Sequence, residues 1–593
     1  MNVYEKLVKI NDRQTDRVVD LQIMEATSRN IGGIPQPDSG VPNASHGGTA
    51  GAIVCMAAAL LSPDSKHYRS EKLLIRMDFA VEFMLSRQHA DGTISLGGTN
   101  VNSPPDTGFV VAGFCQLYEL LASCDWDLME PTAAKVRLFL AYSIPALTTG
   151  GVHTPNHRWV LVAALSGLHG IFGGEELIRR AEAWLAEGLD YTDDGEWTER
   201  SNGIYNAVSN IMLIYAAERL GKPELLEPVR KNLRMMTYLI HHDGEVVTEY
   251  SGRQDLGARA DLSNYLLCYR VMAERDRDPL FAAMYDLAAE RIQMMGAANN
   301  HALLGWHSMP CPHVDDLPRA PLPDQFMKLI NGSYPIEEQL ARMEGAGHHG
   351  IIHHSSIHRS FGAQLLRYRD GISSATMMTR SNVFFSLRHG DARLHGIGLY
   401  TMFSPGTVEL QRLQQTGSGC RLEVAMEKGY YGPVPTEALP ESARSACSPW
   451  YLLPHHVREL THVQQHQIEV DIDRDGETWV VRLSSERPAD VLMQASLVLD
   501  ADMTIEGSAE QMEDGGLLWT EGTLRCMAGD YGFEIVGGRS DHQLGYMHGT
   551  KTPRGARVVL INLLTPFVHE LRIRPIAAEA FSVGKSEGTT NAS

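Results

Sequence analysis

Apolar residues recur at intervals of three to four positions through much of the first half of the chain, from Gly47 to about Met295. This spacing places them on one face of an α-helix. About ten such segments follow one another: AGAIVCMAAALL, EKLLIRMDFAVEFMLSRQ, TGFVVAGFCQLYELLA, AAKVRLFLAYSI, NHRWVLVAALSGLHGIF, ELIRRAEAWLAEGL, IYNAVSNIMLIYAAERL, ELLEPVRKNLRMMTYLI, LSNYLLCYRVMAER and PLFAAMYDLAAERIQMM. The pattern predicts an all-helical domain.

Glycine turns recur after every second predicted helix. They lie at Asp91, Gly150, Asp194 and Asp243, so that successive turns are about 50 residues apart. Two helices in each repeat of this length are typical of an array of helix hairpins, open or closed into a ring, although such turns also end helices by chance. We predict that residues 1–330 form an incomplete toroid of about five to six helix hairpins.

The pattern changes after about Gly345 to short runs that alternate between apolar and polar residues or are rich in β-branched residues. Such runs, with turn residues between them, are typical of a large antiparallel sandwich. We predict a multidomain α and β chain in which an antiparallel β-sandwich at 366–585 follows the toroid. A Pro-rich stretch predicts a linker, placed at 331–365, and the tail 586–593 is predicted to be disordered.

Charge and cysteine content narrow the range of partners. The formal net charge is -20 and no Lys/Arg-rich run contains aromatic residues, which argues against a nucleic-acid partner. The 8 cysteines have no CxxC spacing, so we expect reduced thiols. The opening MNVYEKLVKINDRQTDRVVD has no apolar h-region, and no stretch is apolar enough to span a membrane. We predict a cytoplasmic protein, unless a leader was removed, and we predict no membrane partner. A homodimer is possible from the sequence.

The helices that follow the glycine turns begin with polar residues. If these turns all lie at one end of the array, the helix starts converge on one mouth. SPPDTGF offers Ser103 as N-cap, with Asp106 in the first turn. HTPNHRW offers Thr154 as N-cap, which puts Asn156 and His157 in the first turn. Unpaired backbone N–H groups and the helix dipole favour an anion there.

The next two turns add a phenol and cations. In DGEWTERSNGIYNAV, Tyr205 falls in the first turn of a capped helix, near Arg200. This setting favours the ionised phenol that a proton acceptor and donor requires. DGEVVTEYSGRQD adds Tyr250 and Arg253. We expect these groups to face a common cleft with the Asn–His pair.

This set of groups suits β-elimination from an anionic glycan, a poly- or oligosaccharide with a 4-linked uronic acid. Asn156 and His157 would hold and neutralise the carboxylate, which makes the C5 hydrogen more acidic. Tyr205 would remove that proton, protonate the leaving oxygen, or both. No cofactor is required. The residues expected to contact substrate are Arg158, Glu199, Arg200, Tyr250, Arg253, Asp106 and His354.

An Asn–His pair that opens a toroid helix, followed about 50 residues later by a DG-aromatic segment ending in Tyr, resembles the (α/α)-toroid polysaccharide lyases. These include the heparinase II/III-like and alginate lyases. The resemblance is specific at NHRW and DGEWTERSNGIY. It implies that Asn156, His157 and Tyr205 are catalytic. Heparinase-like members also have a His-x-His-Ala-Asp motif, which supplies a catalytic His and metal ligands; this sequence lacks it.

Two other functions remain open. A glycoside hydrolase on a similar ring would draw its paired carboxylates from Asp106, Asp194 and Glu199, and it would act on unsaturated uronides. A non-catalytic glycan-binding protein would need neither the lyase residues nor the paired carboxylates. The His-rich segment GHHGIIHHSSIHR is either a solvated linker or a structural metal site, for zinc or calcium, with His353, His354 and His358 as candidate ligands.

Overall fold

The computed structural model describes residues 2–346, 358–439, 441, 450–513, 515–547 and 555–578. The chain divides into two compact units. The first comprises Met1–Asp324 and Ser333–Gly362, and the second comprises Gln325–Gly332 and Ala363–Ser593.

The first unit is helical. Its helices are α1 Val3–Leu21, α2 Thr49–Leu61, α3 Glu71–Arg87, α4 Pro104–Ser123, α5 Glu130–Thr149, α6 Asn156–Phe172, α7 Glu175–Leu185, α8 Tyr205–Leu220, α9 Leu226–Met236, α10 Leu266–Asp276, α11 Pro279–Arg291, α12 Ala302–Ser308 and α13 Ile336–Ala346. The even-numbered helices from α2 to α12 contact one another in chain order, and α12 also contacts α2, so they form a closed inner ring. The odd-numbered helices from α1 to α11 pack against this ring.

Burial distinguishes the inner helices from the outer ones. Nearly every residue of α2 is buried, and the helix has no charged residue. The outer helix α9 buries Leu226, Val229 and Leu233 on one side and exposes Glu227 and Arg234. A helix surrounded by others is apolar all round, whereas a surface helix has one apolar stripe. Among the described helices, none combines the length and apolar character that a membrane span requires.

The connections from an outer helix to the next inner helix contain the glycine turns. Gly92, Gly195 and Gly244 have positive φ angles of 86°, 102° and 81°, which glycine adopts without steric cost. At Gly195 a Cβ would lie 2.4 Å from the carbonyl carbon of Lys231. The recurrence in the sequence is therefore a structural repeat, and the predicted toroid is confirmed.

The structure adds α1 and α12 to the predicted helices. Helix α1 is mostly polar and buries only three apolar side chains, Leu7, Val8 and Ile10, so its apolar stripe is short. Helix α12 has 7 residues, which is too short for a periodic signal. Together they form a sixth pair of helices, and α12 closes the ring, so the toroid is complete and not incomplete as predicted.

The second unit is built from β-strands. They are β1 Gln325–Ile330, β2 Leu365–Asp370, β3 Ser373–Met378, β4 Phe385–His389, β5 Ala392–Thr401, β6 Gly406–Thr407, β7 Arg412–Gln415, β8 Cys420–Tyr431, β9 Leu460–Asp475, β10 Thr478–Ser485, β11 Leu492–Leu499, β12 Thr504–Glu506, β13 Ala509–Gln511, β14 Leu517–Trp519, β15 Thr523–Ala528, β16 Tyr531–Val536, β17 Arg557–Leu564 and β18 Phe567–Ala577. One sheet has the order β1-β2-β3-β4-β5-β11-β17-β14-β13, with β6 beside β5, and the other has the order β12-β15-β16-β18-β10-β9-β8-β7.

The two sheets share one core. In the second sheet Leu422 of β8 lies opposite Val470 of β9, and in the first sheet Leu497 of β11 lies opposite Ile397 of β5. These four side chains belong to one cluster of buried residues. Paired strands among the described residues are antiparallel except β14 and β17. The predicted antiparallel β-sandwich is confirmed, with this one parallel pair.

The division of the chain differs from the boundaries placed on the sequence. Strand β1, inside the predicted toroid at 1–330, pairs with β2 of the second unit. Helix α13, inside the predicted linker at 331–365, belongs to the helical unit. Periodicity identifies an element but not the unit on which it packs. The sequence pattern around the Pro-rich stretch therefore did not show that β1 packs in the second unit and α13 in the first. The tail 586–593 lies outside the described residues.

Candidate active site

Helix α6 begins at a buried Asn–His pair. Asn156 and His157 are 2% and 6% exposed. The N-cap position falls on Pro155 instead of the predicted Thr154, and no side chain of this loop caps the helix. Instead, Glu199 Oε1 accepts the backbone N–H of Asn156 at 2.9 Å from 43 residues away. A carboxylate is stabilised at the positive end of a helix, so Glu199 is the cap of α6.

The side-chain amide of Asn156 is held by two hydrogen bonds. Its Nδ2 donates to Glu199 Oε1 at 2.6 Å and to Thr154 Oγ1 at 3.2 Å. Its Oδ1 is buried and has no hydrogen-bond partner among the described residues. An unsatisfied buried polar atom costs about 1–3 kcal/mol and calls for an explanation. Contact with a ligand is one such explanation.

Glu199 connects the Asn–His pair to Arg253. The carboxylate is 3% exposed, and Arg253 Nη1 lies 3.6 Å from its Oε2. Burial raises the pKa of Glu199 above its ordinary value, while Arg253 and the hydrogen bonds from Asn156 oppose this shift. The carboxyl group therefore holds its proton to a higher pH than a free glutamate does.

His157 is neutral at pH 7. Burial lowers its pKa to about 3, and electrostatic interactions with His153 and Arg253 act in the same direction. Its ring contacts His153 at 4.6 Å and Phe109 at 5.7 Å between centroids. Its Nδ1 is buried and has no hydrogen-bond partner among the described residues. His157 thus offers a hydrogen bond and no charge, and Arg253 is a cation close enough to influence its pKa.

Tyr205 is the first residue of α8 and is half-buried. The guanidinium of Arg253 lies over its ring, 4.6 Å from the centroid. Its hydroxyl accepts a hydrogen bond from Gln254 Nε2 at 3.1 Å. The cation beside Tyr205 is therefore Arg253. The sequence had predicted Arg200 in this position, and that prediction is wrong.

Asp255 joins the two loops that carry Tyr205 and Arg253. Its carboxylate accepts hydrogen bonds from Ser201 Oγ at 2.8 Å, from the Gly203 N–H at 2.9 Å and from Ser251 Oγ at 2.5 Å. Ser201 Oγ in turn accepts the N–H of Tyr205. Because one buried carboxylate holds both loops, Arg253 is fixed against Tyr205.

Arg200 and Tyr250 lie in a buried layer of their own. Arg200 is 1% exposed, pairs with Glu196 at 3.2 Å and lies over the ring of Tyr250. The Tyr250 hydroxyl accepts a hydrogen bond from Asn202 Nδ2 at 2.8 Å. These contacts support the loop before α8, and both side chains are buried.

Asp106 and Arg158 are also engaged in structural contacts. Asp106 accepts hydrogen bonds from Ser103 Oγ at 2.5 Å and from Asn100 Nδ2 at 2.7 Å. Arg158 pairs with Asp190 at 2.7 Å and with Glu187 at 3.3 Å. The predicted substrate contacts of these two residues would have to compete with bonds that they already make.

Two of the three predicted metal ligands lie outside the described residues. His353 and His354 lie outside the described residues, and so does the predicted substrate contact of His354. His358 is described and half-buried. Within the described residues, no group of three His, Cys, Asp or Glu side chains is arranged to hold a metal ion.

Several residues near the site were not predicted. His46, just before α2, stacks on Phe109 at 4.5 Å, and its buried Nδ1 has no hydrogen-bond partner among the described residues. Burial lowers its pKa, and Asp106 opposes this shift. His153 and Gln254 contact His157 and Tyr205 as described above. The polar HGGT before α2 was an available signal, because it precedes an inner helix as the other polar starts do.

The fold is similar to that of solved polysaccharide lyases. A Paenibacillus xanthan lyase gives a TM-score of 0.52 at 9% identity, over 99% of this chain and 58% of that chain. A Streptomyces coelicolor chondroitin AC lyase, solved in complex with chondroitin sulphate, gives 0.49 at 12% identity, over 98% and 81%. A heparan sulfate lyase from Pedobacter heparinus gives 0.45 at 10% identity, over 96% and 83%. No protein-family model and no curated protein sequence matches the chain.

At this level of identity the similarity concerns the fold. It agrees with the helical toroid and β-sandwich described above, and the predicted resemblance to the toroid polysaccharide lyases is confirmed at that level. The chain spans less than two thirds of the xanthan lyase, with 58% of that chain covered.

Proposed function

We propose that the protein is a poly- or oligosaccharide lyase that cleaves a 4-linked uronic-acid glycan by β-elimination. The observation that carries this proposal is the series of contacts from Asn156 through Glu199 and Arg253 to Tyr205. It joins groups that can hold a carboxylate to a phenol that can move a proton. The starts of two inner helices, α6 and α8, support this arrangement.

In the proposed reaction the uronate carboxylate docks against Arg253 and His157. Arg253 supplies positive charge, and neutral His157 supplies a hydrogen bond. Both contacts strengthen as negative charge moves onto the carboxylate in the enolate-like intermediate, which is how fixed dipoles and charges accelerate a reaction. The C5 hydrogen becomes more acidic as a result.

Tyr205 is the proposed proton carrier. Acting as base, it takes the proton from C5, and the electron pair of the C5–H bond forms the C4–C5 double bond. The C4–O bond breaks, and the leaving oxygen takes a proton, which Tyr205 can return. The products are an unsaturated uronate and a new hydroxyl group, and no water is consumed.

Glu199 controls whether Asn156 can take part. Both amide hydrogens of Asn156 are donated within the protein, one of them to Glu199. Two ionised carboxylates that share one amide repel each other. We therefore expect Glu199 to take up a proton when the substrate carboxylate binds, which frees the amide N–H for the substrate.

A panel of uronate glycans tests the proposal through the ultraviolet absorbance of the unsaturated product. We expect Tyr205→Phe to reduce turnover by about 10³-fold or more, because it removes the group that transfers the proton. Tyr142→Phe is the matched control, since Tyr142 is an exposed residue of the outer helix α5. Full activity of Tyr205→Phe would refute the assigned role.

A glycoside hydrolase is the second candidate, favoured by one observation. Glu199 is buried with a raised pKa, which is a property of a general acid. A hydrolase would create new reducing ends without ultraviolet absorbance, and it would lose activity in Glu199→Gln while keeping it in Tyr205→Phe. The two product assays therefore separate the two functions.

A further inference from the structure

A cavity of about 460 Å³ lies in the helical unit, at the end of the ring opposite to Tyr205. Four inner helices, α4, α8, α10 and α12, line it with residues of their last two turns. Helix α8 begins at Tyr205 and reaches the cavity with Glu218 and Arg219, about 20 Å further along the helix. The volume falls within the range of small-molecule sites, about 300–1,000 Å³.

The rim of the cavity carries two ion pairs between helices of the ring. Arg219 of α8 donates to both carboxylate oxygens of Glu119 on α4, at 2.9 and 3.2 Å. Arg275 of α10 pairs with Glu218 of α8. Both arginines are thereby neutralised, so an anionic ligand would have to compete with the carboxylates that already hold them.

Gly167 of α6 leaves room for the first of these pairs. In the ring, α6 lies between α4 and α8. A Cβ at Gly167 would lie 2.8 Å from Cys115 Sγ on α4 and 3.7 Å from Arg219 Nε. A side chain longer than one carbon would therefore meet the guanidinium. With glycine there, Arg219 reaches across α6 to Glu119, and the rim is set by packing.

The floor of the cavity is polar and uncharged. Gln116 and Tyr215 are 3% and 4% exposed, and Gln116 Oε1 accepts a hydrogen bond from Ser308 Oγ at 2.9 Å. Burial raises the pKa of Tyr215 above its ordinary value and that of Cys311 to about 11. Both groups are therefore protonated at neutral pH, and the floor offers hydrogen bonds without charge.

Glu274 is the charged group of the cavity wall that has no ion pair within the described residues. Its Oε2 accepts the backbone N–H of His313 at 3.1 Å. Arg270, one turn earlier on α10, is engaged elsewhere, because it donates to the Met309 carbonyl at 2.9 Å and lies over the Trp306 ring, 3.8 Å from the centroid. The wall therefore has one carboxylate in excess of its guanidinium groups.

The helix ends add to this negative charge. Helices α8 and α10 both end beside the cavity, at Leu220 and Asp276. The unpaired carbonyl groups at a helix C-terminus amount to about half a negative charge, which stabilises cations and repels anions. The helix ends and Glu274 thus favour a ligand of the same sign.

The remaining side of the cavity is apolar. Ile214 of α8 is 1% exposed, and Val271 of α10 and Met309 are half-buried. Such a surface gains from contact with an alkyl group, which leaves water when it binds. The cavity therefore combines one unpaired carboxylate with an apolar surface.

We propose that this cavity binds a small aliphatic amine, with its ammonium group on Glu274 and its alkyl chain on the apolar side. An alkylamine is protonated at neutral pH, as the lysine side chain is. The site lies at the far end of the ring from the Asn–His pair, and the proposal does not rest on the lyase function.

The binding test uses three probes with the same five-carbon chain: pentylamine, pentan-1-ol and pentanoate, titrated by ligand-observed NMR. We expect pentylamine to bind the wild type at least about fivefold more tightly than pentan-1-ol, and pentanoate to bind most weakly. Glu274→Gln should weaken pentylamine binding by about fivefold and leave pentan-1-ol binding within about twofold, because it removes the charge and keeps the shape.

Glu290→Gln is the matched control, since Glu290 is an exposed residue of the outer helix α11. It should leave the affinity for pentylamine unchanged. Val271→Trp fills the cavity and should abolish binding of both pentylamine and pentan-1-ol, while circular dichroism checks that the variant is folded.

Tyr205→Phe shows whether the probe occupies the active site instead. It should leave the affinity for pentylamine within about twofold, because Tyr205 is about 20 Å from the cavity along α8. A loss of binding in this variant would overturn the proposal. So would the absence of saturable pentylamine binding to the wild type, equal or tighter binding of pentan-1-ol or pentanoate, or pentylamine binding that is unchanged in Glu274→Gln.

Discussion

The starts of α4 and α6 look alike in the sequence but differ in the structure. At α4, Ser103 caps the helix by accepting the Asp106 N–H, and Asp106 accepts from Ser103 and Asn100. The hydrogen bonds of this helix start are therefore made within the loop and the first turn of α4. At α6 no side chain of the loop caps the helix, and the cap is Glu199 from the next hairpin.

The two starts also differ in what they leave unsatisfied. Asn156 Oδ1 and His157 Nδ1 are buried without hydrogen-bond partners among the described residues. Native proteins rarely leave buried polar atoms unsatisfied. A helix start whose polar groups are hydrogen-bonded within its own loop contributes to stability. A helix start that is capped by a distant residue and has buried polar atoms without partners is suited to binding a ligand.

The strongest test of this comparison removes one amide from each start. Asn156→Ala should lower kcat/KM by about 10²–10³-fold, since it removes the amide that donates to the developing charge once Glu199 is protonated. Asn100→Ala is the matched change at α4, because Asn100 also donates to a carboxylate. It should leave kcat/KM within about twofold. Similar losses in the two variants would break the comparison, and the ultraviolet assay measures both.

We expect the Glu199 cap to make substrate binding depend on pH. If the substrate carboxylate needs protonated Glu199, KM rises as pH rises through the raised pKa of Glu199. The limiting slope of log KM against pH is about one, for one proton. In Glu199→Gln the side chain is always neutral, so this slope should vanish. A wild-type KM that does not change with pH would contradict proton uptake at Glu199.

The self-contained cap at α4 should matter for stability alone. Ser103→Ala removes the side-chain acceptor for the Asp106 N–H and should lower the free energy of unfolding by about 1 kcal/mol. Thermal or denaturant unfolding measures this change. Activity below the melting transition should match that of the wild type, and a specific loss of kcat would assign α4 to the site as well.

The sequence predicted the toroid because periodicity and glycine turns are local. Gly195 illustrates this: its turn needs a positive φ, and only glycine meets that need next to Lys231. Ser103 was likewise predicted as a cap, since cap and helix are three residues apart. Such local rules could not predict that Glu199 caps α6, because its partner Asn156 is 43 residues away.

The roles of the arginines show the same limit. Arg200 and Arg253 are equivalent candidates in the sequence, because each follows a DG turn. In the structure Arg200 turns into the buried layer with Glu196, and Arg253 lies on Tyr205. The choice depends on Asp255, which holds the two loops together.

By itself, the sequence determined that helix hairpins repeat, that a β-sandwich follows, and that Asn156, His157 and Tyr205 open inner helices. The tertiary structure decided which groups meet at those openings: Glu199 with Asn156, Arg253 with Tyr205, and α13 beside the loop into α6. Helix starts and turns depend on contacts within a few residues, whereas a site is assembled across hairpins by packing and by buried carboxylates that accept bonds from distant loops.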